Sequence, residues 1–168
     1  MDRTDADTGA GMQDGTADRH QAAQAARAAW LRVLVLAAPA ALEQAVGRLG
    51  ALPAYRLLRK PESGMAMVRG RAGGTGAQFN LGEVSVTRCA VTLDAGVVGV
   101  GYVQGRAHRQ AEQIALLDAL LQLPEWHQRV HTEVVAPLAQ ARAASARQEA
   151  AVAAQTKVEF FTMVRGED

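Results

Sequence analysis

Cysteine is nearly absent: Cys89 is alone in 168 residues. That excludes an internal disulfide framework, fits a reducing compartment and leaves too few thiolates to hold an iron–sulfur cluster. Lysine is almost as scarce, with 16 arginines against 2 lysines, and 17 acidic residues bring the net charge to +1. So slight an excess predicts neither nucleic-acid nor membrane binding, both of which favour a large basic surplus. Long apolar runs are missing too. The run from Val33 to Leu42 is short, contains Pro39 and follows Arg27 and Arg32, whereas a spanning helix needs ~20 apolar residues. Residues 1–20 lack the hydrophobic segment of a secretory signal. The expectation is a cytoplasmic protein without a membrane span. There is no internal repeat and no sustained heptad pattern.

What is present reads as one α+β domain over residues 21–168, behind a disordered extension at 1–20 that is rich in Asp, Gly and Thr. A helix is expected from about His20 to Ala37. Pro39 then suits the first turn of a second helix ending near Leu49, with Gly50 as its stop. Residues 54–59 and 65–69 read as strands joined at Pro61-Glu62-Ser63-Gly64, which has turn chemistry. Residues 83–93 alternate, with Val84, Val86 and Arg88 on one face and Ser85, Thr87 and Cys89 on the other. Residues 97–103 return as a fourth strand after the turn at Asp94-Ala95-Gly96. The expected fold is an antiparallel sheet of about four strands packed with N-terminal and C-terminal helices. Residues 107–122 form an amphipathic helix, Pro124 starts another, and Pro137 breaks or restarts it. Residues 138–156 are mostly Ala, Gln and Arg, which favour helix but bury little.

The candidate sites are few. The glycine cluster Arg69-Gly70-Arg71-Ala72-Gly73-Gly74-Thr75-Gly76 lies between strands, and no Lys follows Gly76. A phosphate loop needs GxxxxGK[ST] leading into a helix, and a dinucleotide fingerprint needs the helix as well, so neither applies. What remains is a backbone anion nest of Gly73, Gly74, Thr75 and Gly76 with charge from Arg71 and Arg88. Its bland counterpart is a wide glycine turn. Arg106 stands where the fourth strand feeds a helix N-terminus, a second place for an anion. There Gly105 instead serves an unusual backbone angle, or Glu112 pairs with Arg106 or Arg109 and makes the arginine structural. His127 and His131 share a helix side, but two nitrogens are too few for zinc, and Gln128 replaces the glutamate of a zincin motif. Cys89 reads as a small buried apolar residue. Ser63, Ser85 and Ser145 lack a nucleophile-elbow context, and no catalytic set is found. Asp118 interrupts an apolar helix flank, as a cap or as a partner for an arginine of this chain or another. The tail holds Phe160, Phe161, Met163, Val164 and Arg165. Burying a Phe or Met is worth roughly 1.5–3 kcal/mol, so the tail is expected to meet another subunit or to fold back.

Several segments carry a family resemblance. Arg71-Ala72-Gly73-Gly74-Thr75-Gly76, Phe79-Asn80-Leu81-Gly82-Glu83 with Thr87-Arg88, Gly101-Tyr102-Val103-Gln104-Gly105-Arg106, Ala115-Leu116-Leu117-Asp118-Ala119-Leu120 and Phe160-Phe161-Thr162-Met163-Val164-Arg165-Gly166 appear in that order. Together they resemble the PhnG family of the bacterial carbon–phosphorus lyase system. The resemblance implies a subunit acting with PhnH, PhnI and PhnJ in a core complex, and functionally with PhnL. That assembly transfers the ribose triphosphate of ATP to an alkylphosphonate and releases adenine. The substrates are ATP and alkylphosphonate, with no cofactor in this chain, and the radical chemistry belongs to PhnJ. No catalytic residue carries over to this sequence. The competing reading is a free-standing phosphate- or nucleotide-binding module built on the glycine cluster and Arg71, Arg88 and Arg106.

Overall fold

The computed structural model describes residues 10–94 and 96–155. The elements run α1 (Ala10–Val35), α2 (Pro39–Arg48), β1 (Tyr55–Arg71), β2 (Gln78–Leu93), β3 (Val98–Gln104), α3 (His108–Leu121), α4 (Pro124–Val130) and α5 (Ala136–Gln155). The class is α+β, with helices before and after an antiparallel sheet of order β1-β2-β3. Among the described residues that sheet has three strands, not about four.

The difference lies at Pro61-Glu62-Ser63-Gly64. These residues do not turn; they continue β1, with Glu62 opposite Arg88 and Ser63 opposite Thr87. Pro61 falls at a register irregularity between Arg59 and Glu62, on an edge strand. A strand proline is tolerated in that setting, because its missing N–H removes no ladder bond. The chain reverses instead at the glycine cluster, through a short 3-10 turn at Ala72–Gly74.

Helix ends follow local chemistry. α2 opens with Pro39, and Gly50 stops it at φ +68°, a left-handed conformation that glycine adopts without a β-carbon penalty. α1 starts ten residues before the expected His20, at Ala10. Pro137 does not break the last helix. A π-type turn at His131–Val135 precedes it, and the wider turn relieves the clash between a proline ring and the carbonyl four residues back.

The core forms where α3 crosses the sheet. Ile114, Leu117 and Leu120 are fully buried, with Leu34, Leu42, Leu49, Val91, Val130 and Val134 around them. Each large side chain contributes about 1.5–3 kcal/mol by leaving water. α3 approaches β3 closely: a β-carbon on Gly99 or Gly101 would overlap the carbonyl of Ala115 or Ala111. Small residues on both elements permit that contact. The alternation expected in β2 is borne out, and the covered face is the one with Thr87, Cys89 and Val91. The opposite face stays open, leaving Val98 and Tyr102 exposed.

Side chains tie the layers. Asp118, fully buried on α3, accepts from Arg27 Nε at 3.0 Å, Arg27 Nη2 at 2.6 Å, Trp30 Nε1 at 2.9 Å and the Val100 backbone N–H at 2.9 Å. One carboxylate thus joins α1, α3 and β3. Arg129 Nη2 donates to the Leu49 carbonyl at 2.7 Å, closing the end of α2 against α4.

Candidate functional site

β1 and β2 outrun the rest of the sheet. β3 ends at Gln104, opposite Val86. Beyond that point β1 and β2 pair alone, from Met65↔Ser85 to Arg71↔Gln78. A two-stranded ribbon is marginal in water without a further layer. This one nonetheless exposes large apolar side chains: Met65 and Met67 on one strand, Phe79 and Leu81 on the other. Gly70 faces Phe79 and Leu81, so those two side chains share a face of the ribbon.

The glycine cluster forms the tip of this arm. Gly73 and Gly74 take φ +59° and +79°, and a β-carbon on Gly76 would press on the Ala72 carbonyl. Arg71 Nη1 donates to the Gly76 carbonyl at 2.9 Å, closing the turn from its side. The tip is therefore a built reversal whose glycines answer backbone demands.

The structure does not gather the candidate anion residues. Arg71, Gly73, Gly74, Thr75 and Gly76 sit at the tip, whereas Arg88 lies back in the three-stranded region, opposite Glu62. Along β2 that separation is about 33 Å, at ~3.3 Å per residue. Arg88 Nε donates to Glu62 Oε1 at 2.8 Å, and Arg59 Nη1 to the same oxygen at 2.7 Å. Arg88, and then Arg59, hold the Glu62 carboxyl below its ordinary pKa. Arg106 is exposed in the turn after β3, and Gly105 there takes φ +86°. Glu112 does not pair with Arg106 or Arg109: it accepts from Tyr55 Oη at 2.8 Å, and Arg109 pairs with Glu43 at 2.6 Å. The Glu112 hydrogen bond, with burial, raises Tyr55 to about 12. Burial likewise raises Cys89 to about 11, and its thiol donates to the Arg59 carbonyl. Such a thiol is a poor nucleophile. The tail residues Phe160, Phe161, Met163, Val164 and Arg165 lie outside the described residues.

One polar cluster escaped the sequence. Ser63 Oγ lies 2.9 Å from His108 Nε2 and 3.0 Å from Thr87 Oγ1. A serine beside a histidine resembles a nucleophile with its base. The hydrogens run the other way. Thr87 gives its only hydroxyl proton to the Gly105 carbonyl at 2.7 Å and accepts the Ala107 N–H at 3.0 Å. Ser63 must then donate to Thr87, so His108 Nε2 carries a proton and donates to Ser63. A histidine donating to serine cannot take the serine's proton. The cluster instead fastens the β3–α3 turn to β1 and β2. No linear signal pointed to it, because its residues come from three separate segments.

His127 and His131 stack at 6.2 Å, and Trp30 meets His127 edge-on at 5.8 Å. His127 Nδ1 lies 2.6 Å from the Leu121 carbonyl, to which it must donate. Both histidines border the space between α1 and the start of α5. Among the described residues no single helix is long and apolar enough to cross a membrane.

Residues 25–166 match the family described as phosphonate metabolism protein PhnG. The alpha-D-ribose 1-methylphosphonate 5-triphosphate synthase subunit PhnG of Rhizobium meliloti (strain 1021) is 39% identical over 160 residues, covering 94% of this chain and 100% of that protein. The resemblance carried by the glycine cluster, the Gly101–Arg106 segment and the Phe160–Gly166 segment is borne out, and the chain belongs to the PhnG family of phosphonate metabolism proteins.

Proposed function

We propose that this chain is a subunit of an alpha-D-ribose 1-methylphosphonate 5-triphosphate synthase and contributes surface rather than reactive groups. The relative of matching length carries that activity in its name as a subunit. The observation that carries the surface role is the arm, where Met65, Met67, Phe79 and Leu81 stand in solvent beyond the core. Exposed apolar side chains grouped on a projecting ribbon mark a place that a partner covers. The reaction assigned to the assembly joins an alkylphosphonate oxygen to the ribose C1′ of ATP and expels adenine. The transferase chemistry falls to partner subunits of the PhnH, PhnI, PhnJ and PhnL kinds, in the cytoplasm. The direction of the Ser63–His108 hydrogen bond supports that division of labour, since it withholds the base a nucleophile would need.

Co-expression with the partner subunits tests this reading. Replacing Phe79 and Leu81 by Asp is expected to lower co-purification about tenfold or more while leaving the far-ultraviolet circular dichroism of the chain nearly unchanged, because the arm packs on nothing in its own core. Met65→Asp with Met67→Asp examines the strand opposite. Full assembly and full synthase activity in both variants would refute the role of the arm. Turnover of ATP with methylphosphonate by the isolated chain would refute the division of labour.

A further inference from the structure

The sheet has two edges, and they differ. β3 forms one of them. There the Val98 carbonyl accepts from Arg27 Nη2 at 3.3 Å and from Gln122 Nε2 at 3.0 Å, and the Val100 N–H donates to Asp118 at 2.9 Å. Side chains thus take up backbone groups that another strand would need.

β1 forms the other edge. Its first half is also closed to pairing. Pro61 has no N–H to offer, and Lys60 stands beside it. The register breaks between Leu57 and Arg59 and again between Arg59 and Glu62. Each of these features discourages an added strand. The next stretch carries none of them. From Glu62↔Arg88 to Val68↔Gly82 the ladder runs through seven consecutive pairs without a break. In an antiparallel ladder every second residue turns its N–H and C=O away from the partner strand. Among the described residues, no group outside β2 takes up the backbone of residues 62–68. β2 offers no equivalent edge in the arm. There the Gly105 N–H donates to the Ser85 carbonyl at 2.7 Å, and Leu81 is an extra residue between the partners of Val68 and Arg69.

The side chains define what fits this edge. Met65 and Met67 are exposed on one face of β1, and Ala66 and Val68 are half-buried on the other. An incoming strand therefore meets apolar neighbours on both faces. Basic residues bracket the stretch: Arg59 and Lys60 precede it, and Arg69 and Arg71 follow it. Glu62 is the one acidic residue of β1, and Arg59 and Arg88 already share its carboxylate. A second copy of β1, laid in either direction, would set these basic ends against each other. Like charges directly opposite destabilise a strand pair, and opposite charges stabilise it. The charge pattern selects a different chain with acidic ends.

We propose that β1 accepts, along residues 62–68, an extended segment of another subunit, apolar in its middle and acidic at its ends. The segment adds a fourth strand to the sheet and gives the marginal ribbon a third strand. This rests on the reading of the arm as a partner surface and names the chemistry of that partner.

Residue-resolved hydrogen exchange, on the full chain alone and in its co-purified assembly, tests the placement. Alternate amides of residues 62–68 are expected to slow about tenfold or more in the assembly. Amides of residues 82–85 that face away from β1 keep their rates. Equal slowing of the outward amides on both strands, as a partner lying across the ribbon face would give, overturns the proposal. Protection of residues 62–68 in the isolated chain that grows with concentration identifies a second copy and overturns it too. An assembly that forms with these amides unprotected overturns strand addition and leaves the subunit reading standing. Failure of the chain to co-purify with any partner overturns both. Lys60→Glu with Arg69→Glu examines the acidic ends, since both positions are exposed. Co-purification is expected to fall about fivefold or more with unchanged circular dichroism. Co-purification equal to or above that of the native chain overturns the acidic partner.

Discussion

Asp118 shows how one side chain holds a layer in place. Its sequence position, inside an apolar helix flank, signalled a cap or an arginine partner, and the structure shows both roles at once within this chain. Arg27 and Trp30 come from α1, and the Val100 N–H comes from β3. Asp118→Ala strands a buried backbone donor and an indole donor and leaves Arg27 without its counter-charge. The expected loss is about 3 kcal/mol, read as a lower urea midpoint. A loss no larger than that of an ordinary surface substitution would show that the hub carries little. Tyr55 makes a prediction of opposite character. Its folded-state pKa is raised from 10.0 to about 12 by Glu112 and burial. The folded state therefore holds the phenolic proton over a range where the unfolded chain releases it. That contribution is complete below pH 10 and is lost as pH rises from 10 to 12. Melting temperature is expected to fall more steeply across this window in the native protein than in Tyr55→Phe. Parallel declines would contradict the Tyr55–Glu112 pairing.

At the scale of elements, the β3–α3 contact decides the architecture. Gly99 and Gly101 give α3 room, and Ala111, Ala115 and Ala119 answer from the helix. Gly101→Val would force α3 away from the sheet, with an expected loss of about 3 kcal/mol and no new interaction to offset it. Denaturation midpoints measure this directly, and a near-neutral Gly101→Val would disprove the close packing. These glycines look in sequence like ordinary strand glycines, because their meaning depends on a helix that begins only after β3 ends. Pro61 teaches a related lesson. Proline with a following Gly64 carries local turn chemistry, yet an edge strand with a bulge accommodates it, and the cross-strand pairs Glu62–Arg88 and Ser63–Thr87 keep the chain extended. Local propensity yielded to tertiary pairing. The helices were more readable. Pro39, Gly50 and Pro124 mark ends by mechanisms contained within a turn or two.

At the scale of the whole molecule, the chain combines a small core with a long projection. The sheet and α3 supply the core, while the β1–β2 arm extends past the end of β3 with its apolar side chains in solvent. The candidate anion residues divide between the tip of that arm and the three-stranded region behind it, so spacing in sequence misrepresented their spacing in space. The amino-acid sequence by itself determined the class, the alternation of β2, most helix ends and, through segments such as Phe160–Gly166, the family. Those properties rest on short-range periodicity, capping chemistry and the identity of contiguous residues. Only the tertiary structure decided the strand count, the partners of Asp118, the direction of the Ser63–His108 hydrogen bond and the exposure of the arm. Each of these depends on which distant segments meet, and that is settled by burial and pairing across the whole chain rather than by the preferences of any one stretch.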